Sequence, residues 1–237
     1  MITVCMATYN GERYVRQQLA SILKQLNSAD EVIVVDDCSQ DRTLFMIKTF
    51  NDERIKVISN STNIGPIKSF EKGLVLSHGD YIFLADQDDV WLSNKVSTVL
   101  NCFKHDKADL VVHDAIVVDD NLKPIAQSWN NYNHNRFGKS WLSTLTKNPF
   151  TGANMAFSRR VLEACVPFPE KIPMHDWWIG GVCQQSGFEI SIINKSLLLY
   201  RRHNSNVTGN SHQLKKMLVN RIHFWSVMRR HSSGCIN

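Results

Sequence analysis

The stretch YIFLADQDDVW at residues 81–91 joins an apolar run directly to an acidic cluster. Its first five residues have the length and apolarity of a buried β-strand. Three carboxylates follow within four residues, on Asp86, Asp88 and Asp89. Carboxylates two residues apart can bind one divalent cation, whereas acidic residues at a helix start only stabilise its first turn. Three carboxylates after an apolar strand favour the cation site, because concentrated negative charge needs a counter-ion.

The same succession of strand and helix signals repeats through the first hundred residues. Strand-like runs begin at Ile2, Glu31, Ile55 and Tyr81, and apolar residues at helical spacing follow each run. This alternation predicts an α/β fold with a mainly parallel sheet and helices on both faces. Ligands of such sheets bind at the carboxyl ends of the strands, where this sequence places its polar clusters.

The second half of the chain is less regular. We predict strands at residues 110–113, 116–118, 155–157, 190–193 and 197–200, a loop over 126–140, and helices over 175–187 and 211–230. Neither an internal repeat nor a clean linker divides the sequence. We therefore predict one domain over residues 1–209, with halves that meet at residue 108, and an appended helix within residues 210–237.

The composition is that of an ordinary globular protein. The 237 residues are 43% apolar and 21% charged, which excludes a disordered chain. No apolar run approaches the roughly 18 residues of a membrane-spanning helix, and the first residues do not resemble a secretory signal. The six cysteines are scattered, which favours a reduced, cytoplasmic setting.

The charge is unevenly distributed. Residues 190–237 hold eight basic side chains and no acidic one, so the remaining chain carries 19 basic against 22 acidic residues. A basic tail on a mildly acidic body suggests an anionic partner near the C-terminus. The tail does not indicate a nucleic-acid partner, because few aromatic residues are interleaved with the basic ones.

Two further clusters carry candidate functional groups. Asp36 and Asp37 follow the second strand, where they either cap the next helix or bind a nucleotide. His175-Asp176-Trp177-Trp178 begins a helix. There Asp176 is either a cap or a general base whose pKa is raised by apolar rings, and His175 is either a functional group or a satisfied surface residue. We expect one tryptophan to border a pocket, where a flat ring suits a sugar.

The segment Tyr200-Arg201-Arg202-His203 follows the last predicted strand. Arginine suits phosphate oxygens and neutral histidine can bind a divalent metal, although a solvated basic loop is the simpler interpretation. The sequence contains neither a Gly-x-Gly-x-x-Gly motif nor a Walker loop, so the usual dinucleotide and P-loop interpretations lack their anchors.

Taken in order, these clusters resemble the family 2 glycosyltransferases with the GT-A fold. The matching segments cover residues 1–209 and are residues 7–11, 35–41, 63–65, 86–91, 151–152, 175–178 and 200–203. The motifs Asp-Gln-Asp-Asp-x-Trp and His-Asp-Trp-Trp resemble those of a subgroup, the bacterial transferases of surface polysaccharide synthesis. This subgroup includes O-antigen and capsule enzymes and many rhamnosyltransferases. One departure is Cys38, where the family pattern usually has a glycine that permits positive φ.

The resemblance implies a role for each matching residue. Residues 1–108 would bind the nucleotide-sugar and residues 109–209 the acceptor. The implied nucleotide-sugar ligands are Ala7, Tyr9, Asp37, Asp86 and Asp88. Asp88 and His203 would bind Mn²⁺ or Mg²⁺, Asp176 would be the catalytic base, and Gly152 and Trp177 would contact the acceptor.

The implied activity is inverting, metal-dependent transfer from a UDP- or dTDP-sugar to a saccharide acceptor that is lipid-linked. Two alternatives are a metal-dependent nucleotidyltransferase and a non-catalytic nucleotide-binding module. We predict a cytoplasmic protein. The tail helix has an apolar stripe formed by Leu214, Met217, Leu218, Ile222 and Trp225. This helix either packs on the body or lies as an interfacial helix on the anionic inner face of the cell membrane.

Overall fold

The computed structural model describes residues 1–203 and 214–232, and side chains in the second range from Met217 onward. The strands are β1 Ile2–Thr8, β2 Glu31–Asp36, β3 Ile55–Ser59, β4 Tyr81–Asp86, β5 Val90–Trp91, β6 Leu110–Val118, β7 Pro124–Ala126, β8 Met155–Ser158 and β9 Ile190–Arg201. The helices are α1 Val15–Leu23, α2 Thr43–Lys48, α3 Pro66–Val75, α4 Lys95–His105, α5 Trp129–Tyr132, α6 Arg159–Cys165, α7 His175–Ser186 and α8 Leu214–Ser232. Two 3-10 turns lie at Trp141–Thr144 and Gly152–Asn154.

One mixed sheet organises the described residues in the order β3-β2-β1-β4-β8-β6-β9-β5, with β7 paired to β6. The pairs β1–β2, β1–β4 and β2–β3 are parallel, so the carboxyl ends of these strands lie along one edge. Strand β8 runs antiparallel to both β4 and β6 and joins the two halves of the sheet. The predicted α/β sheet is confirmed as a mixed sheet, whose strands from the first hundred residues, β1 to β4, are parallel to one another.

Helices cover both faces of the sheet, as predicted. Apolar residues of α1, α2 and α4 pack in one core cluster. Those of α3, α6, α7 and α8 pack in the other. Because both faces of β1, β2 and β4 are covered, these strands are apolar nearly throughout, which is why the sequence shows runs rather than alternation.

The second half differs from the prediction in several elements. The predicted strands 110–113 and 116–118 are one strand, β6, with irregular register around Asp114. The predicted strands 190–193 and 197–200 are likewise one strand, β9. The sequence analysis did not anticipate β5, β7 or α6. The short α5 lies within the predicted loop and is capped by the Ser128 side chain, which accepts from the N–H of Asn131.

Helix α8 packs on the body through a different stripe from the predicted one. Phe224, Val227 and Met228 are at most 2% exposed. The predicted stripe lies outside, with Leu218 56%, Ile222 62% and Trp225 43% exposed. The side chain of Leu214 and the proposed domain boundary at residues 209–210 lie outside the described residues. Within those residues, we find no helix with both the length and the apolarity to cross a membrane.

Candidate active site

A cleft of about 480 Å³ opens at the carboxyl ends of β1 and β4. It collects side chains from both halves of the domain. Among the residues that line it are eight of those expected to form the site, namely Ala7, Tyr9, Asp37, Asp86, Asp88, Gly152, Asp176 and His203. Sequence segments almost two hundred residues apart therefore meet in one place.

Asp37 is a rigidly held carboxylate at one end of the cleft. Its Oδ1 accepts hydrogen bonds from the Ile64 N–H at 2.9 Å and the Asn60 amide at 2.9 Å, and its Oδ2 accepts from the Gly65 N–H at 2.8 Å. Burial raises the pKa of Asp37, but these donors lower it more, so that the pKa lies below its ordinary value. The group is therefore ionised at neutral pH and can accept hydrogen bonds from a ligand.

The turn after Asp37 supports this arrangement at a cost. Cys38 has φ +64°, in the left-handed region of backbone conformation. The family pattern usually has a glycine at this position, and glycine adopts positive φ without strain. Its neighbour Asp36 does not line the cleft; it is fully buried and accepts from the hydroxyls of Thr8 and Ser39. Of the two acidic residues, Asp36 thus secures the turn and Asp37 lines the cleft.

The loops after β1 and β4 are tied together by Gln87. Its Oε1 accepts from the Tyr9 N–H at 2.9 Å, and its Nε2 donates to the Tyr9 carbonyl at 3.0 Å. A Cβ on Gly11 would lie 2.1 Å from the same Oε1, so only glycine leaves room for this contact. The two polar strand ends therefore form a single surface.

The three carboxylates of the acidic loop have different surroundings. Asp89 is 1% exposed, and its Oδ1 accepts from the Arg201 N–H at 3.0 Å, so it anchors the loop to β9. Asp86 lines the cleft, and burial together with the charges of Asp88 and Asp176 raises its pKa to about 7. Asp88 lines the cleft and contacts His203, with 2.7 Å between Oδ2 and Nε2.

The Asp88–His203 pair has the chemistry of a divalent-cation site. Carboxylate oxygen and imidazole nitrogen both bind Mn²⁺, and Mg²⁺ in nucleotide sites commonly takes one or two carboxylates together with substrate phosphates. No group of three or more His, Cys, Asp or Glu side chains able to hold a metal occurs within the described residues. A cation held by this pair would therefore need further ligands from a substrate or from water.

Tyr14, which sequence analysis did not single out, supports His203. The two rings stack with centroids 4.8 Å apart, and the Tyr14 hydroxyl donates to Asp120 at 2.6 Å. The Arg201 guanidinium lies 4.9 Å from the Tyr14 ring. A tyrosine near the start of α1 carries no sequence signal for this role, because its partners come from loops more than one hundred residues away.

Asp176 lies in the first turn of α7 and is 8% exposed. Its Oδ1 accepts from the Trp177 N–H at 2.6 Å and the Asn148 amide at 3.1 Å, and its Oδ2 accepts from the Gly152 N–H at 3.2 Å. Burial outweighs these donors and raises the pKa to about 6. Asp176 is not the helix N-cap, which is Met174. A carboxylate in this state can take a proton from a substrate hydroxyl near neutral pH.

The expectation that one tryptophan of the motif borders the pocket is wrong. Trp177 stacks on Phe224 of α8 at 4.7 Å and donates its indole N–H to the Thr144 hydroxyl. Trp178 is 1% exposed and donates to the Cys165 carbonyl. In the described residues, neither ring lines the cleft. Both tryptophans are core residues because α6 and α8 pack against α7 and cover them.

Lys95 is a second residue that sequence analysis missed. It is fully buried; its Nζ donates to the Ala153 carbonyl at 2.7 Å and lies 4.2 Å from the Trp91 ring. Burial lowers its pKa to about 7 against the opposing effect of the carboxylates of Asp89 and Asp86. Lys95 links the acidic loop to the Gly152–Asn154 turn, whose first N–H contacts Asp176.

A sequence model described as "Glycosyl transferase family 2" matches residues 3–166. The chain belongs to this family. Membership of this family argues against both alternatives, the metal-dependent nucleotidyltransferase and the non-catalytic nucleotide-binding module.

Individual relatives agree with the family assignment. The chain is 26% identical to the dTDP-rhamnosyl transferase RfbG of Shigella flexneri over 86% of this chain and 73% of that protein. It is 27% identical to the UDP-Glc:alpha-D-GlcNAc-diphosphoundecaprenol beta-1,3-glucosyltransferase WfgD of Escherichia coli, over 51% of this chain and 48% of that protein. Both relatives are bacterial glycosyltransferases by name, in agreement with the family of this chain.

The fold matches that of solved glycosyltransferases. The structure of S. aureus TarS 1–349 in complex with UDP-GlcNAc superposes with a TM-score of 0.75 at 21% identity, over 97% of this chain and 66% of that one. This match confirms the GT-A fold. The chain spans about half of WfgD and about two-thirds of the TarS chain.

Proposed function

We propose that this chain transfers a sugar from a nucleotide-diphospho-sugar to a hydroxyl of a saccharide acceptor, with inversion at the anomeric carbon. The proposal rests on one observation, which is that a single cleft holds two acidic groups with different surroundings. The Asp88–His203 pair suits a cation on the diphosphate, and the buried carboxylate of Asp176 suits a proton.

Ala7, Tyr9 and Asp37 bind the base and ribose in this proposal. Asp37 is ionised and held by three donors, so it can accept from a ribose hydroxyl or a base N–H without moving. The Tyr9 side chain lies at the cleft with 46% of its surface exposed, which lets its ring stack on a flat base. A uridine or thymidine diphosphate is the class of donor that we favour.

Asp86 and Asp88 bind the diphosphate end, and Asp88 and His203 hold the Mn²⁺ or Mg²⁺ ion. A divalent ion bound there neutralises the charge that develops on the leaving diphosphate. Tyr14 holds the imidazole of His203 in place by stacking on it. Asp86 is next to this charge, and a cation would favour its ionised form over the protonated form that burial favours.

The chemical step depends on Asp176. The acceptor hydroxyl attacks the anomeric carbon as its proton passes to the Asp176 carboxylate, and the bond from that carbon to the diphosphate oxygen breaks. Because the acceptor enters opposite the leaving group, the product has the inverted configuration. The N–H of Gly152 and the amide of Asn148 orient the carboxylate, which leaves its remaining lone pairs for the substrate.

The acceptor is a lipid-linked saccharide in this proposal, bound on the side of the cleft that Gly152 lines. The relative WfgD, by its name, acts on a GlcNAc-diphosphoundecaprenol acceptor. The outer face of α8 supports a membrane location for this chain, since Leu218, Ile222 and Trp225 are exposed there. The Arg229 guanidinium lies 4.8 Å from the Trp225 ring, and no acidic residue follows Glu189 in the sequence. Apolar and basic groups on one exposed helix face suit an anionic membrane surface.

The activity is tested with purified protein, Mn²⁺, UDP- and dTDP-sugars, and a GlcNAc-diphospho-lipid with a shortened chain. Product is measured by mass spectrometry and its anomeric configuration by NMR. We expect transfer that stops on chelation of the metal and in Asp88→Asn. A product that retains the donor's configuration would contradict direct displacement, and full activity in the presence of EDTA would contradict the metal.

The membrane location is tested by co-sedimentation with neutral and anionic vesicles. The variants are Leu218→Ser and Ile222→Ser, which alter the outer face of α8 but not the buried stripe of Phe224. Ile125→Ser, at a residue 51% exposed elsewhere, is the matched control. Each basic residue near an anionic surface contributes about 1 kcal/mol, so binding should fall in high salt. Binding that ignores salt and both α8 variants would exclude this surface.

A further inference from the structure

His175 is a buried histidine on the wall of the cleft. It begins α7, next to Asp176, and is 5% exposed while lining the cleft. Neither ring nitrogen has a hydrogen-bond partner among the residues that the structure describes. The sequence interpretation of a satisfied surface residue is therefore wrong. A buried polar group left without a partner costs about 1–3 kcal/mol, so a site that retains two such atoms is suited to a ligand that supplies the partners.

The neighbours of His175 fix the ring but do not satisfy it. The ring of Phe70 stacks on it with centroids 4.1 Å apart and planes at 26°. On another side lies Gly152, where an added Cβ would come within 2.8 Å of Nε2. Phe70 belongs to α3 in the nucleotide-binding half, and Gly152 to the second half. His175 thus lies between α3, which borders the nucleotide end of the cleft, and the Gly152–Asn154 turn, which contacts the proposed catalytic base Asp176.

The protonation state of His175 indicates what kind of group it binds. Burial lowers its pKa to about 3, so the ring is neutral at physiological pH and offers one donor and one acceptor. A diphosphate offers only acceptors and favours cationic partners. A sugar hydroxyl is itself both donor and acceptor, and it matches the neutral imidazole.

We propose that His175 hydrogen-bonds a hydroxyl of the transferred sugar and thereby contributes to the choice of donor. The inference rests on the proposed function, because it takes the ligand of the cleft to be a nucleotide-sugar. His175 contacts the sugar ring, whereas its neighbour Asp176 takes the proton of the acceptor. The contact with Phe70 places His175 on the donor side of the cleft and not on the acceptor side, because Phe70 belongs to α3, the helix that starts beside Asp37.

The test compares the binding of nucleotide-sugars with that of nucleoside diphosphates. Calorimetric titrations in Mn²⁺ use UDP-glucose, UDP-GlcNAc and dTDP-rhamnose, together with UDP and dTDP. The variant His175→Phe keeps the ring that stacks on Phe70 and removes both nitrogens, and His175→Gln restores a donor and an acceptor. His231→Phe is the matched control, since His231 packs against Trp178 of the same helix outside the cleft.

We expect His175→Phe to weaken the preferred nucleotide-sugar at least about tenfold, the effect of one or two lost hydrogen bonds. The affinity for the nucleoside diphosphate should stay within about twofold, and His175→Gln should recover part of the loss. Equal weakening of nucleotide-sugar and diphosphate, or no weakening of either, would overturn the proposal. Failure of the wild type to bind any nucleotide-sugar would instead contradict the proposed function.

A measurement on the wild type keeps the proposal testable should His175→Phe not fold. In protein with ¹⁵N-labelled histidine, the ring nitrogen resonances of His175 should shift when the nucleotide-sugar is added. They should not shift with the diphosphate alone. Shifts of equal size with both ligands, or none with the sugar, would contradict a contact to the sugar.

Discussion

Replacing Asp176 by asparagine should remove activity and also make the protein's stability less dependent on pH. Burial raises the pKa of the Asp176 carboxyl from 3.8 to about 6. The unfolded chain therefore releases this proton near pH 3.8 and the folded chain near pH 6. Between these values the folded state holds more protons, so the free energy of unfolding falls as pH rises through this window and stays lower above it.

The size of the effect follows from the two pKa values. Each pKa unit corresponds to about 1.36 kcal/mol, so the ionised Asp176 destabilises the folded state by about 3 kcal/mol at neutral pH, of which about 2 kcal/mol develops between pH 4.5 and pH 8. Asparagine carries no charge and avoids this penalty. Its amide faces the N–H of Gly152 or the amide of Asn148, which costs a hydrogen bond, but that cost does not depend on pH.

The assay is urea denaturation of both proteins at pH 4.5 and pH 8, with no ligand present. We expect the stability of Asp176→Asn relative to wild type to rise by about 2 kcal/mol between the two pH values. Asp37→Asn is the control, because hydrogen bonds lower the pKa of Asp37 below its ordinary value, so the carboxyl is ionised in the folded state and almost fully ionised in the unfolded state between pH 4.5 and pH 8. Its stability relative to wild type should therefore hardly change between the two pH values. A stability difference between Asp176→Asn and wild type that is the same at both pH values would refute the argument from burial.

Three further changes test other parts of the structure. Lys95→Met should lower the free energy of unfolding by about 3–5 kcal/mol, and Asp89→Asn in the same chain should recover part of this loss, as measured by urea denaturation. Cys38→Gly should be neutral or raise the free energy of unfolding by up to about 1 kcal/mol, because glycine adopts positive φ without strain. Phe224→Ala should cost about 3–5 kcal/mol by thermal or urea unfolding, since it opens a cavity against Trp177, whereas a loss below about 1 kcal/mol would mean that α8 is not packed there.

The parts of the fold that could be predicted are those in which each element carries its own local signal. Strands β1, β2 and β4 are apolar runs that stop at polar residues, and the helix that begins at His175 ends before Gly187, which has φ +69° as a left-handed C-cap requires. Strand β9 was divided in the prediction because Asn194 and Lys195 interrupt its apolar pattern. Those polar residues fall where the pairing of β9 with β6 shifts register, which no local pattern reveals.

The tail shows the limit of periodicity as a guide to packing. A helix of 19 residues can carry two apolar stripes, and in α8 the stripe with the clearer spacing is the exposed one. The stripe that packs is Phe224, Val227 and Met228, because its side chains meet Gly181 of α7, where a Cβ would lie 2.7 Å from the Phe224 ring. Spacing identified the helix, but only the shape of the surface beneath it decided which face is buried.

Several groups at and near the cleft share one physical property, which is that their environment is unfavourable for folding. His175 lacks partners among the described residues, Lys95 is a fully buried amine, and burial raises the pKa values of Asp86 and Asp176. Nothing in the local sequence favours such an arrangement, because each of these groups would be more stable in water. Their concentration around one cleft means that the folded protein loses stability at its site, and a ligand that supplies a cation and hydroxyl groups would restore part of it. We therefore expect the nucleotide-sugar with Mn²⁺ to raise the melting temperature by more than the nucleoside diphosphate with Mn²⁺ does at equal ligand concentration, because a hydrogen bond to His175 would tighten the binding of the former alone.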